Sequence, residues 1–139
     1  MTASESSPRY VLDSYAVLAL LQREAGGRAV LEVLREAATG RAEVSMSVIN
    51  VGQVLYLTER RRGAEAAGAA MAIIEQLPIR IVDTDKVWTL RAARVKAIYP
   101  VSFADAFAVA LAREIGAAVV TGDPEFEAVR ELVLVRWIS

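Results

Sequence analysis

The sequence predicts a three-layer α/β fold, a central parallel sheet flanked by helices on both faces. Three observations carry that expectation. Short apolar stretches alternate with longer helical patterns from residue 9 onward. The short stretches are apolar at successive positions, as strands buried on both faces require. Gly or Pro stands at most of the junctions. No internal repeat, low-complexity tract or linker interrupts residues 9–139, so residues 1–139 read as a single domain. Residues 1–8, MTASESSP, lack a basic start and an apolar core, and read as a disordered leader rather than an export signal.

The elements follow in order. Arg9 to Leu12 form a short buried strand ending at Asp13. Tyr15 to Gln22 carry a dense apolar face suited to a helix, which Gly26-Gly27 break. A second helix runs from Arg28 to Ala38, with Val30, Leu31, Val33 and Leu34 as its stripe, and Gly40 ends it. Glu43 to Met46 suit a strand. Ser47 is placed to cap a helix from Val48 to Arg62, closed by Gly63. Ala64 to Leu77 is rich in good helix formers and stops at Pro78. Ile79 to Val82 form a strand, Asp85 to Ile98 a helix ended by Pro100, and Ser102 to Ile115 a helix ended by Gly116. Ala117 to Thr121 read as a strand, Pro124 to Val129 as a short helix, and Leu132 to Arg136 as a last strand.

Composition narrows the chemistry. The chain has 139 residues, 16 Lys and Arg against 17 Asp and Glu, and neither Cys nor His. Disulfides, zinc–thiolate sites, cysteine nucleophiles and Ser-His-Asp triads are therefore excluded. Acid–base or metal chemistry must rest on carboxylates, hydroxyls and basic side chains. No apolar run reaches the ~18 residues of a membrane span. Together with the missing cysteines, this fits a cytoplasmic protein without a membrane partner.

In open parallel sheets, ligands sit beyond the carboxyl ends of the strands. Asp13 follows the first strand, Asp123 follows the Ala117–Thr121 strand, and Asp105 opens the helix leading into it. These three carboxylates, distant in sequence, are candidates to converge there. Clustered carboxylates repel one another unless a cation neutralises them, and oxygen donors select hard ions such as Mg²⁺ or Mn²⁺. Each also has a purely local reading. Asp13 is placed to cap the first helix, Asp105 stands three residues after Ser102 as in a capping box, and Asp123 precedes a proline as an N-cap does. Asp105 resists the local reading best. In FADAFAVALA it is the only polar residue, on a helix apolar almost all round. Ser14 and Thr121 are second-tier candidates, as hydroxyls able to hydrogen-bond a carboxylate, a metal-bound water or a phosphate, or simply to cap turns.

The segments YVLDSYAVLALL, SVINVGQVLYL, VSFADAFAVALA and AVVTGDPEF, in this order and over almost the whole chain, resemble the successive motifs of PIN domains. More narrowly they resemble VapC-type toxins of toxin–antitoxin pairs. The resemblance implies a PIN-like, Rossmann-like fold and a ribonuclease that binds Mg²⁺ or Mn²⁺ through an acidic cluster. It assigns Asp13, Asp105 and Asp123 to the first, third and fourth acidic positions. The second position, usually Glu in a pattern like Asn-x-Gly-Glu-Val, here holds Gln53 within Asn50-Val51-Gly52-Gln53-Val54. A Gln carbonyl can coordinate a hard cation but brings no charge and no basicity. An impaired nuclease follows, whether the residue is natural or introduced, and a module that binds RNA or an antitoxin without cleavage is the alternative. The purely local reading of Gln53 is a solvated helix residue. The resemblance further implies cleavage leaving a 5′-phosphate and a 3′-hydroxyl, a homodimer, and a VapB-like antitoxin. The apolar faces at Tyr15–Leu21 and Val48–Leu57 are candidates for the antitoxin groove, or ordinary core.

Two further patterns stand apart. Arg60-Arg61-Arg62, and Arg91, Arg94 and Lys96, are cations for holding RNA, but equally suit a helix end and a solvated face. The segment Ile79-Arg80-Ile81-Val82-Asp83-Thr84-Asp85 matches the strand-then-Asp-x-Asp pattern of haloacid-dehalogenase-like phosphotransferases, with Asp83 as nucleophile. That motif opens its fold, whereas less than half of this chain follows Asp85. A strand end followed by a helix cap is the preferred reading, with Asp83 still a neighbour of the carboxylates.

Overall fold

A computed structural model of the chain describes residues 7–138. Five parallel strands form one sheet: β1 (Arg9–Leu12), β2 (Glu43–Ser47), β3 (Arg80–Val82), β4 (Ala118–Thr121) and β5 (Val135–Trp137). Their spatial order is β3-β2-β1-β4-β5. The helices are α1 (Ser14–Leu21), α2 (Gly27–Ala38), α3 (Val48–Arg62), α4 (Ala64–Gln76), α5 (Lys86–Ile98) and α6 (Phe103–Ile115), and a 3₁₀ segment spans Pro124–Val129. Residues 1–6 of the expected leader lie outside the described residues. Within the leader, the Pro8 carbonyl accepts the Glu43 N–H at 3.0 Å and so extends the β1–β2 pairing.

The sheet separates two cores, and successive strand residues enter opposite ones, as period-two geometry dictates. Val11 and Val119 pack with α5, α6, Phe126 and Val129. Leu12 and Val120 pack with residues of α1, α2, α3 and Ile74 of α4. α6 is buried from Asp105 to Ala112, which is why its sequence is apolar all round. The faces considered for a partner groove are mostly core. Ala16, Val17 and Ala19 of α1 and Val51 and Val54 of α3 are buried, leaving Tyr15 and Tyr56 exposed.

The expected boundaries hold within a residue or two except at the end. The last strand is Val135–Trp137, not Leu132–Arg136. Leu132 and Val133 both donate backbone hydrogen bonds to the Val129 carbonyl, at 2.8 and 3.2 Å, and so belong to the turn after the 3₁₀ segment. The Asp83-x-Asp85 pattern is a strand end and a helix cap. Asp85 Oδ1 accepts the Trp88 N–H at 3.0 Å, and both carboxylates are exposed. β3 lies at the sheet edge with β2 between it and β1, so Asp83 stands apart from Asp13. No single described helix is long and apolar enough to cross a membrane.

Candidate metal centre

Strand order reverses between β1 and β4. From β1 the chain builds outward to β2 and β3, then returns to place β4 on the other side of β1. Loops leaving such a pair diverge and open a crevice at the carboxyl ends of the two strands. Asp13 leaves β1 there and Asp123 leaves β4. α6 runs back over the sheet into β4, so its first turn, which carries Asp105, lies at the same edge.

Asp13 caps α1 and also bonds to the end of β4. Its Oδ1 accepts the Ala16 N–H at 2.8 Å, and its Oδ2 accepts the Thr121 hydroxyl at 2.5 Å. Thr121 Oγ1 in turn accepts the Asp123 N–H at 2.9 Å. One buried hydroxyl thus joins the ends of β1 and β4. Asp123 Oδ1 accepts the Glu125 N–H at 2.9 Å, starting the 3₁₀ segment. Ser102 Oγ accepts the Asp105 N–H at 3.1 Å, so the expected capping interaction at α6 is present. Ser14 is buried in the first turn of α1 but takes no part in the hydrogen bonds linking Asp13, Thr121 and Asp123.

Three carboxylates, Asp105, Asp123 and Glu125, offer oxygens within 4.8 Å of one another. Asp13 is not in this compact trio, although the charges of Asp105 and Asp123 act on it. Burial pushes the Asp13 carboxyl up to about 7, against the lowering effect of the Thr121 and Ala16 hydrogen bonds. Burial likewise raises Asp105 to about 6, with the Ser102 hydrogen bond opposing and the Asp123 and Glu125 charges adding. No basic side chain figures among the groups acting on either acid. The centre is an accumulation of negative charge without a protein counterion among the described residues.

Glu125 and Asn50 were not singled out from the sequence. Glu125 reads as an ordinary first-turn acid after Pro124, and its spacing of two from Asp123 is the only signal it carries. Asn50 is fully buried, and its Nδ2 donates to the Ala104 carbonyl at 3.1 Å, tying α3 to α6 beside Asp105. Its Oδ1 has no hydrogen-bond partner among the described residues, and neither has the buried Oε1 of Gln53. The two side chains stand one turn apart on α3, at neighbouring positions of its surface. Gln53 is half-buried rather than solvated, and no hydrogen bond ties it to the carboxylates. Buried acceptors rarely go unpaired. An oxygen-only donor set with orphaned acceptors nearby fits a hard, hydrated divalent cation, whose waters would supply the missing donors.

The PIN domain family model matches residues 10–132, and the chain belongs to that family. Within it, the fold is shared with structures of VapC toxins and their VapBC complexes. DNA-bound VapBC from Salmonella typhimurium is similar at TM-score 0.73 and 16% identity, over 95% of this chain and 99% of that one. VapBC2 from Rickettsia felis, bound to a promoter DNA fragment, is similar at TM-score 0.70 and 18% identity, over 93% and 98%. VapC20 from Mycobacterium tuberculosis, a toxin that cleaves the sarcin–ricin loop, is similar at TM-score 0.68 and 25% identity, over 86% and 94%. The chain matches no curated protein sequence.

Proposed function

We propose that this chain is a divalent-metal-dependent RNA endonuclease, the toxin of a VapBC-type pair, impaired by Gln53. The observation that carries the reading is the Asp105–Asp123–Glu125 trio at the carboxyl edge of the sheet, with Asp13 held beside it. Asp105 and Asp123, with Asp13 as the resemblance implies and Glu125 as the compact trio adds, would hold Mg²⁺ or Mn²⁺. Such an ion, when bound, polarises a phosphodiester and activates water, so that hydrolysis leaves a 5′-phosphate and a 3′-hydroxyl. Thr121 and the Ala16 N–H fix Asp13 in one orientation. Burial raises Asp13 to about 7 in the metal-free fold, and a bound cation would favour its ionised form. Water rather than a side chain is the nucleophile, which suits a chain without Cys or His.

The VapBC likeness supports a VapB-like antitoxin as partner, and with it a homodimer and a cytoplasmic setting. The exposed Tyr15 and Tyr56, on the faces Tyr15–Leu21 and Val48–Leu57, remain the candidate contacts for an antitoxin segment. Gln53 favours a second reading, a silent module that binds RNA or antitoxin, because the residue adds neither charge nor basicity to the site.

Cleavage of a mixed RNA pool, with and without Mn²⁺, separates the two. The chain itself is compared with Gln53→Glu, and with that variant also carrying Asp105→Ala. Metal-dependent cleavage that rises with Gln53→Glu and vanishes with Asp105→Ala establishes the nuclease. Absence of cleavage from all three folded proteins, across several RNA classes, leaves a very narrow target or a PIN-like fold kept for binding.

A further inference from the structure

We infer that the cavity between α5 and α6 binds the phosphodiester backbone of single-stranded RNA, at a distance from the acidic centre; this rests on RNA being the substrate. The cavity measures about 390 Å³, and Arg91, Arg94 and Arg113 line it against a single acid, Glu114. Arg91 is held in place. Its guanidinium lies 5.0 Å from the centre of the Trp88 ring and 3.5 Å from Glu114 Oε2. Arg94 and Arg113 make no ion pair or hydrogen bond among the described residues. One cation in the last turn of α6 complements the helix dipole. Three around one cavity exceed that need.

The chemistry of the lining selects the ligand. Guanidiniums keep their charge at every relevant pH and match phosphate oxygens in a two-pronged geometry. Ile98, 70% exposed, and the half-buried Tyr99 offer apolar and aromatic surface for unstacked bases beside those phosphates. An apolar protein partner would strip water from the guanidiniums without pairing them, whereas a polyanion satisfies them. Position adds a further argument. Arg113 lies eight residues along α6 from Asp105, about 12 Å at the helical rise per residue. A strand of a few nucleotides spans that distance. The carboxylate centre repels a polyanion, so affinity for the strand must come from cations elsewhere.

Fluorescence anisotropy with a fluorescein-labelled, twelve-nucleotide single-stranded RNA tests this in EDTA, where cleavage plays no part. We expect Arg94→Ala with Arg113→Ala to weaken binding at least tenfold at low salt. The slope of log affinity against log salt should fall by about 1.4, the equivalent of two phosphate contacts. Arg23→Ala with Arg28→Ala removes equal charge from the exposed α1–α2 connection and the first turn of α2, and should change neither. Arg94→Lys with Arg113→Lys should keep the slope, and thermal melting verifies that every variant is folded. Equal affinity and slope for both Ala pairs overturn the inference, as does an intact chain that binds no RNA. A changed oligomeric mass with unchanged RNA affinity overturns it in favour of a protein contact. Intact RNA binding without cleavage by any Gln53 variant counts against the nuclease alone. Cleavage with undiminished binding by the Arg94 and Arg113 variant counts against this cavity alone.

Discussion

The Thr121 hydroxyl donates to Asp13 and accepts from the Asp123 backbone, so one side chain positions two acids. Thr121→Val keeps the branched shape but leaves Asp13 Oδ2 buried without its donor. A loss of about 1–3 kcal/mol is expected in urea unfolding, with weaker Mn²⁺ binding by titration calorimetry. The acids themselves predict an inverted pH response. Asp13 and Asp105 rise from 3.8 in the unfolded chain to about 7 and about 6 in the fold, chiefly through burial. The native state therefore binds these protons more tightly than the unfolded one. Their contribution to stability is complete below about pH 4 and is lost as pH rises through 6 and 7. In EDTA, the melting temperature should fall between about pH 5 and pH 8. Saturating Mn²⁺ should reverse much of that fall, and Asp105→Asn should flatten it. A flat profile in EDTA would contradict the electrostatics described above. Asp105 is legible in the sequence because it is the one polar residue in FADAFAVALA, even though Ser102 also gives it a capping partner. Asn50 is not, because its partner Ala104 lies 54 positions away and no local pattern reports it.

At the scale of elements, the glycines divide by what surrounds them. At Gly27 an added Cβ would lie 2.7 Å from the Ala19 carbonyl oxygen, and Gly26, at φ +91°, would meet the Ile138 carbonyl at 2.8 Å. Gly27→Ala should cost about 1–3 kcal/mol by forcing α2 away from α1. Gly68, in the exposed interior of α4, has open space around it, and Gly68→Ala should stabilise by about 0.5–1 kcal/mol. Thermal melting of the two variants gives both signs. The sequence marked Gly26-Gly27 as a break but could not show that close approach, rather than turn geometry alone, demands both residues. The 3₁₀ segment depends on a different anchor. Phe126 is fully buried beside Glu125. Phe126→Ala should cost about 3–5 kcal/mol in denaturant unfolding and weaken Mn²⁺ binding, because it frees the segment that carries a carboxylate. The last strand was misplaced for a related reason. Leu132 and Val133 are apolar because a turn packs them into or against the core, and an apolar residue looks the same whether a turn or a strand buries it.

Over the whole molecule, the strand–helix alternation was enough to infer a parallel sheet, since buried strands and crossover helices leave that pattern in any order. The order β3-β2-β1-β4-β5 was not legible, because no residue in one strand names its neighbour. Yet that order is what creates the crevice between β1 and β4. Strand ends in an open parallel sheet already make Asp13, Asp105 and Asp123 candidates to converge, and the family resemblance ranks them as the first, third and fourth acidic positions. The bond joining Thr121 to Asp13 spans 108 positions. Asp105, Asp123 and Glu125 all arrive late, and β4, which fixes them against Asp13, takes an interior place in the sheet. During translation, β1, β2 and β3 with their helices emerge from the ribosome before Asp105, Asp123, Glu125 and β4. The crevice between β1 and β4 therefore lacks one wall until synthesis is almost finished.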